Sequence, residues 1–126
     1  MPVLTTKRSV IAQVLVCMGC CCGQTERGRP GVPLEFLKSE WRRRGLMKRV
    51  QLTISGCLGP CDVPNVALIV VGQETFWLGN LEGSDYQELI DWAVLCKQAN
   101  RAVGLPKSLG VHEIAPFISH LGCARS

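Results

Sequence analysis

Aromatic residues are scarce in this chain: three Phe, three Trp and one Tyr make up 6% of its 126 residues. Surfaces that grip single-stranded nucleic acid interleave aromatic platforms with basic groups. Here the aromatics beside the Arg42–Arg44 run, Phe36 and Trp41, are assigned to the core, so nucleic acid is not the expected partner. Long apolar stretches are missing as well. Runs such as Val66–Val71 fall far short of the roughly 20 residues a membrane-spanning helix requires. The sequence has no low-complexity segment and no internal repeat, and at its length one domain is expected, not a two-domain enzyme. With 47% hydrophobic and 19% charged residues and a mean hydropathy of +0.18, it has the composition of one packed domain.

Charge of either sign is modest overall but unevenly placed. Fourteen basic and ten acidic residues give a net +4, too little to imply a polyanionic partner. Eight of the basic residues fall between Arg27 and Arg49, whereas the stretch from Glu74 to Asp91 holds five acids and no base.

Cysteine is what the chain has in excess, eight in all. Lys7 and Arg8 precede an apolar Val10–Val16 stretch, but that stretch is short, contains Gln13 and runs into cysteines instead of a small-residue cleavage site. The chain is therefore assigned to a reducing cytosol. Clustered cysteines there are metal ligands or catalytic thiols more often than disulfides.

The pattern of side chains predicts an α/β order. Val10–Val16 is rich in β-branched residues and forms a first strand ending at the cysteine cluster. Residues 23–32 carry three glycines, a proline and two arginines and make a loop. Pro33 suits a first helical turn, Leu34, Leu37 and Trp41 share one helical face, and Gly45 marks a left-handed end. Val50, Leu52 and Ile54 alternate with polar residues as a strand, which delivers Gly56 and Cys57. Val66–Val71 is a strand covered on both faces, and Gly72–Gln73 turns it back into Glu74–Leu78. Ser84 and Gln87 form a capping box before a second helix with Tyr86, Leu89, Ile90, Ala93, Val94 and Lys97 on its periodic positions. Residues 106–126 are an extension with one short helix.

Strand, helix, strand, hairpin and closing helix is the order of a thioredoxin-like α/β layer, a four-stranded mixed sheet flanked by helices. A right-handed crossover through the first helix makes the first two strands parallel neighbours. Both cysteine groups then leave carboxyl ends of strands, where α/β folds hold ligands.

Four residues separate Cys17 from Cys22, three separate Cys57 from Cys61, and 34 lie between the groups. Four thiolates from two loops can ligate a [2Fe–2S] cluster, one pair to each iron. Gly19, Gly23, Gly56 and Gly59 would let backbone N–H groups approach the sulfurs. Two other chemistries share the residues. A four-cysteine zinc site would hold a binding module, and Cys17 with Cys20 has the C-x2-C spacing zinc favours, which Cys57 and Cys61 lack. A dithiol oxidoreductase would use Cys17 and Cys20, but a Gly-rich loop follows them where a thiolate-stabilising helix is needed.

The cysteine group after the first strand, and the run Gly56-Cys57-Leu58-Gly59-Pro60-Cys61 after the second with Pro64 beyond it, resemble the thioredoxin-like [2Fe–2S] ferredoxins and the related subunit of respiratory complex I. The resemblance spans about Val10 to Lys97. It implies Cys17, Cys22, Cys57 and Cys61 as cluster ligands. Family members often have a longer interval between the first two ligands and a single cysteine at each, whereas Cys20 and Cys21 crowd beside Cys22 here, so either can stand in its place. The resemblance further implies a carrier of single electrons, not a catalyst, or a cluster-bearing accessory to a metal or tetrapyrrole pathway of the cobalamin type. It implies homodimerisation too, for which the Glu74–Leu78 edge offers Phe76 and Trp77.

The remaining candidates have plainer readings. Cys96 sits among apolar residues of the second helix as a small hydrophobe, and Cys123 with His112 and His120 matches no strong metal spacing. Trp77 and Trp92 are core or interface groups. The Arg42–Arg44 face docks an acidic redox partner, if any, by charge complementarity. Arg27 and Arg29 are candidates to offset the negative charge of a cluster.

Overall fold

The computed structural model describes residues 9–18, 31–56, 58, 59 and 63–117. Strand β1 runs Ala12–Cys17, helix α1 Leu34–Arg43 and β2 Val50–Ser55. They are followed by β3 Ala67–Val71, β4 Glu74–Leu78, α2 Gly83–Ala99 and the short α3 Lys107–Gly110. The sheet order is β2-β1-β3-β4. β1 pairs parallel with β2 and antiparallel with β3, and β3 pairs antiparallel with β4. This is the mixed, thioredoxin-like α/β sheet that the element order predicts.

Local chemistry accounts for most of the boundaries. Helix α1 begins one residue after Pro33 and stops at Gly45, whose φ of 60° lets Leu46 N–H reach back to Trp41 O and Gly45 N–H to Arg42 O. Leu46, carried past the turn, is fully buried. The hairpin turns at Gly72 and Gln73, with the positive φ on Gly72 alone, as a type II′ turn requires. Helix α2 departs from expectation at its start. It begins at Gly83, and its capping box joins Glu82 to Asp85, with Glu82 N–H donating to Asp85 Oδ2 at 2.9 Å. Ser84 and Gln87 lie inside the helix and do not form the box. The acidic pair wins because two carboxylates at the helix start also meet the positive end of its dipole. Asn100, left-handed at φ 57°, ends the helix.

Cross-strand register sorts the sheet into two faces. Ala12, Val14 and Val16 share a face with Val50, Leu52, Ala67, Ile69 and Leu78, and this face packs against Leu37 and Trp41 of α1 and Tyr86, Leu89, Ile90 and Ala93 of α2. Trp41 is tied in by its indole N–H, which donates to Val50 O at 2.7 Å. On the opposite face Gln13, Leu15, Gln51, Thr53, Leu68 and Val70 are only half-buried. Strand β3 is thus covered fully on one face, not on both. Phe36, assigned to the core from sequence, is 42% exposed. It lies one position before Leu37, off the stripe that Leu37 and Trp41 bury.

The extension beyond α2 folds back on the sheet. Leu109 of α3 enters the core, and Glu113 bridges to Leu78, with Ile114 N–H donating to Trp77 O. The Leu78 end of the β4 edge is therefore occupied by the chain itself. Among the described residues no helix is long and apolar enough to cross a membrane.

Candidate metal centre

Parallel pairing makes β1 and β2 finish side by side. Cys17 is in register with Ser55, Met18 N–H donates to Ser55 O at 2.9 Å, and Cys17 N–H donates to Val66 O at 3.0 Å. Cys17 is thereby fixed by backbone bonds to strands on both sides. Its side chain is 3% exposed, and together with Val66 it forms a small apolar cluster against Leu58, Val63, Trp77 and Ile114. Two residues beyond Ser55 in sequence stands Cys57.

Gly59, which lies between Cys57 and Cys61 in sequence, is pressed from one side. It has φ 125°, and a Cβ built on it would lie 2.6 Å from Phe117 Cζ. Phe117 in turn meets Trp77 edge to face, with centroids 5.8 Å apart. Glycine is required at 59 on both counts, by backbone conformation and by the ring above it. Gly56, by contrast, has no neighbour among the described residues within 4 Å of a built Cβ, so none of them demands the absence of a side chain.

Of the predicted ligands the structure places Cys17. Cys20, Cys21, Cys22, Cys57 and Cys61 lie outside the described residues, as do Cys123, His120, Gly19, Gly23, Arg27 and Arg29. Among the described residues no three His, Cys, Asp or Glu side chains gather into a metal-holding group. Cys96 is fully buried in α2, and burial pushes its thiol pKa up, as suits a small hydrophobe. His112 is committed elsewhere: Nδ1 lies 3.0 Å from Gly79 O and Nε2 3.2 Å from Asp85 Oδ2. Trp92 is a core residue whose indole N–H donates to Val103 O at 2.8 Å.

Trp77 has a larger part than sequence reasoning assigned to it. The signal was present in the hairpin. A two-residue turn pairs Trp77 with Leu68, Leu68 pairs with Leu15, and Leu15 is two residues before Cys17 on the same face. The part of Phe117 carries no comparable signal, because its neighbours in the fold are far away in sequence.

The basic face of α1 is partly neutralised. Glu40 receives Arg43 Nη2 at 2.7 Å and Arg44 Nε at 3.1 Å. Those hydrogen bonds, Arg43 first, hold the Glu40 carboxyl at about 2, well below the ordinary 4.5. Lys38 and Arg42 have no ion pair among the described residues.

No protein-family model matches the chain, and no curated protein matches it either. Among solved structures it is similar to the thioredoxin-like [2Fe–2S] ferredoxin from Aquifex aeolicus, with 17% identity and a TM-score of 0.51 over 85% of this chain and 99% of that one. At that identity the likeness concerns the fold. It is the thioredoxin-like α/β class that topology and comparison together define.

Proposed function

We propose that the chain holds one [2Fe–2S] cluster through Cys17, Cys22, Cys57 and Cys61, with Cys20 or Cys21 as substitutes for Cys22, and works as a one-electron carrier or cluster-bearing accessory protein. The supporting observation is the common end of β1 and β2, where Cys17 is buried in an apolar cluster and in register with Ser55, which stands two residues before Cys57 in sequence. The donor chemistry suits the group: thiolates are the ligands of such clusters, and small residues around them admit backbone N–H donors. When bound, the cluster supplies reversible one-electron transfer.

The chain's own residues supply the rest. Cys17 offers a thiolate whose position the flanking strands dictate. Trp77, Val66, Val63 and Ile114 keep water from its side, and that low-dielectric shell bears on the potential. An all-ferric cluster with four thiolates is an anion, so Arg27 and Arg29, placed beside it on this reading, would offset its charge and favour reduction. The basic side of α1 faces a partner, by complementarity of charge.

Individual Cys→Ser variants test the ligand set. Cys17→Ser, Cys57→Ser and Cys61→Ser are each expected to abolish or distort the visible spectrum and the EPR signal of the reduced protein. Among Cys20, Cys21 and Cys22 one substitution should do the same while the other two leave both signals intact. Retention of an unaltered cluster in Cys17→Ser would overturn the assignment. Stoichiometric zinc in place of iron, lost in the same variants, would instead indicate a zinc-held binding module, and disulfide reductase activity lost with Cys17→Ser or Cys20→Ser a dithiol oxidoreductase.

A further inference from the structure

Between α1 and β2 lies a cavity of about 280 Å³ lined by Lys38, Trp41, Arg42, Met47, Leu52 and Ile54. Its floor is apolar. Trp41 and Leu52 are buried, Ile54 is half-buried, and Met47, 45% exposed, is anchored by a hydrogen bond from Leu52 N–H to its Sδ at 3.3 Å. Two cations, one helical turn apart on α1, complete the wall, and among the described residues no carboxylate does. Neighbouring Arg43 and Arg44 are bound to Glu40, but Lys38 and Arg42 pair with nothing among the described residues, Glu35 one turn earlier included. β2 is an edge strand, so the cavity opens at the margin of the sheet. Ile54 stands three residues before Cys57, which puts the cavity beside the strand end that leads into the cysteine loop.

Size and charge narrow the occupant. Sites that enclose whole cofactors or drug-sized molecules run from roughly 300 to 1,000 Å³, so this volume suits one apolar anchor side chain. Two unpaired cations beside an apolar hole favour an anchor flanked by carboxylates. Stacked nucleobases fit poorly, because the Trp41 ring is a buried wall held by Val50 O and offers no exposed face. We infer that this cavity is the docking site for an acidic segment of a partner protein, which inserts one large apolar side chain over Leu52 and Ile54 and sets its carboxylates against Lys38 and Arg42. That the partner exchanges electrons rests on the carrier reading above. The ligand preference of the cavity does not.

The test is a titration of the full ¹⁵N-labelled chain with a capped peptide of two glutamates, a phenylalanine and two glutamates. Saturable shifts at Lys38, Arg42, Leu52 and Ile54 are expected. Replacing the peptide's phenylalanine by alanine, or making Lys38→Gln with Arg42→Gln, should raise Kd at least tenfold; both side chains are exposed, so the core is untouched. Absence of saturable shifts at the cavity, or equal affinity for the alanine peptide, would overturn the proposal. So would displacement of the peptide by submillimolar decanoate, which would assign the cavity to a small amphipathic anion. Peptide binding by a chain without iron would refute the carrier reading and leave the docking site standing. A cluster-bearing chain that ignores the peptide would do the reverse.

Discussion

Replacing Gly59 by alanine probes the contact between the cysteine loop and the chain's far end. Two costs arise. A non-glycine residue held at φ 125° is strained by about 1–3 kcal/mol. The new methyl would also lie 2.6 Å from Phe117 Cζ, so the ring must leave its place. Phe117 is 62% exposed and can swing outward, and its departure forfeits the edge-to-face contact with Trp77, worth about 0.5–1.5 kcal/mol at most. Gly59→Ala should therefore destabilise by about 2–4 kcal/mol. Phe117→Ala alone should cost only the ring contact, and because that contact can be lost once, the double variant should be less damaged than the sum by about 0.5–1.5 kcal/mol. Urea unfolding of the four proteins, followed by far-UV circular dichroism, measures each value. Additivity within about 0.3 kcal/mol, or a Gly59→Ala cost below about 0.5 kcal/mol, would refute the reasoning.

Three other outcomes follow from the geometry. Trp41→Phe removes the buried indole donor and leaves Val50 O unpaired, for a loss of about 1–3 kcal/mol by the same unfolding assay; a variant as stable as the parent would contradict the bond. The Glu40 carboxyl should titrate near 2 by ¹³C NMR and return towards 4.5 in Arg43→Gln with Arg44→Gln. Since its folded value is depressed, the stabilisation from this network is complete above about pH 4.5 and disappears as pH falls through about 2; a parent midpoint near 4.5 would refute it. Cys96→Ser buries a more strongly hydrated hydroxyl in place of the thiol, with the Val103 backbone as a polar neighbour, and should cost about 1–3 kcal/mol while leaving the visible spectrum unchanged; a lost chromophore would make Cys96 a ligand.

Those features that short-range chemistry governs were legible in the sequence. Alternation at Val50, Leu52 and Ile54 marked β2, Gly72 marked the hairpin and Gly45 the end of α1, because each depends on neighbours within a turn or a strand. The order of these elements then sufficed for the topology. The start of α2 was not legible, since Glu82 is a less common cap than Ser84 and its pairing with Asp85 is a choice between adjacent carboxylates. The exposure of Phe36 depends on which residues of α1 meet the sheet, and that is decided by packing. For the candidate site, strand ends and cysteine spacing pointed to Cys17, while its apolar surroundings needed the third dimension. Trp77 reaches it through two strand registers, and Phe117 reaches Gly59 only because the extension folds back along β4.

The central claim is tested most directly by purifying the chain without oxygen, recording its visible spectrum before and after dithionite, and assaying iron, acid-labile sulfide and zinc in the same sample. The account predicts a brown protein with about two irons and two sulfides per chain that bleaches on reduction. A colourless protein that stays colourless after iron–sulfur reconstitution and carries one zinc per chain would contradict it.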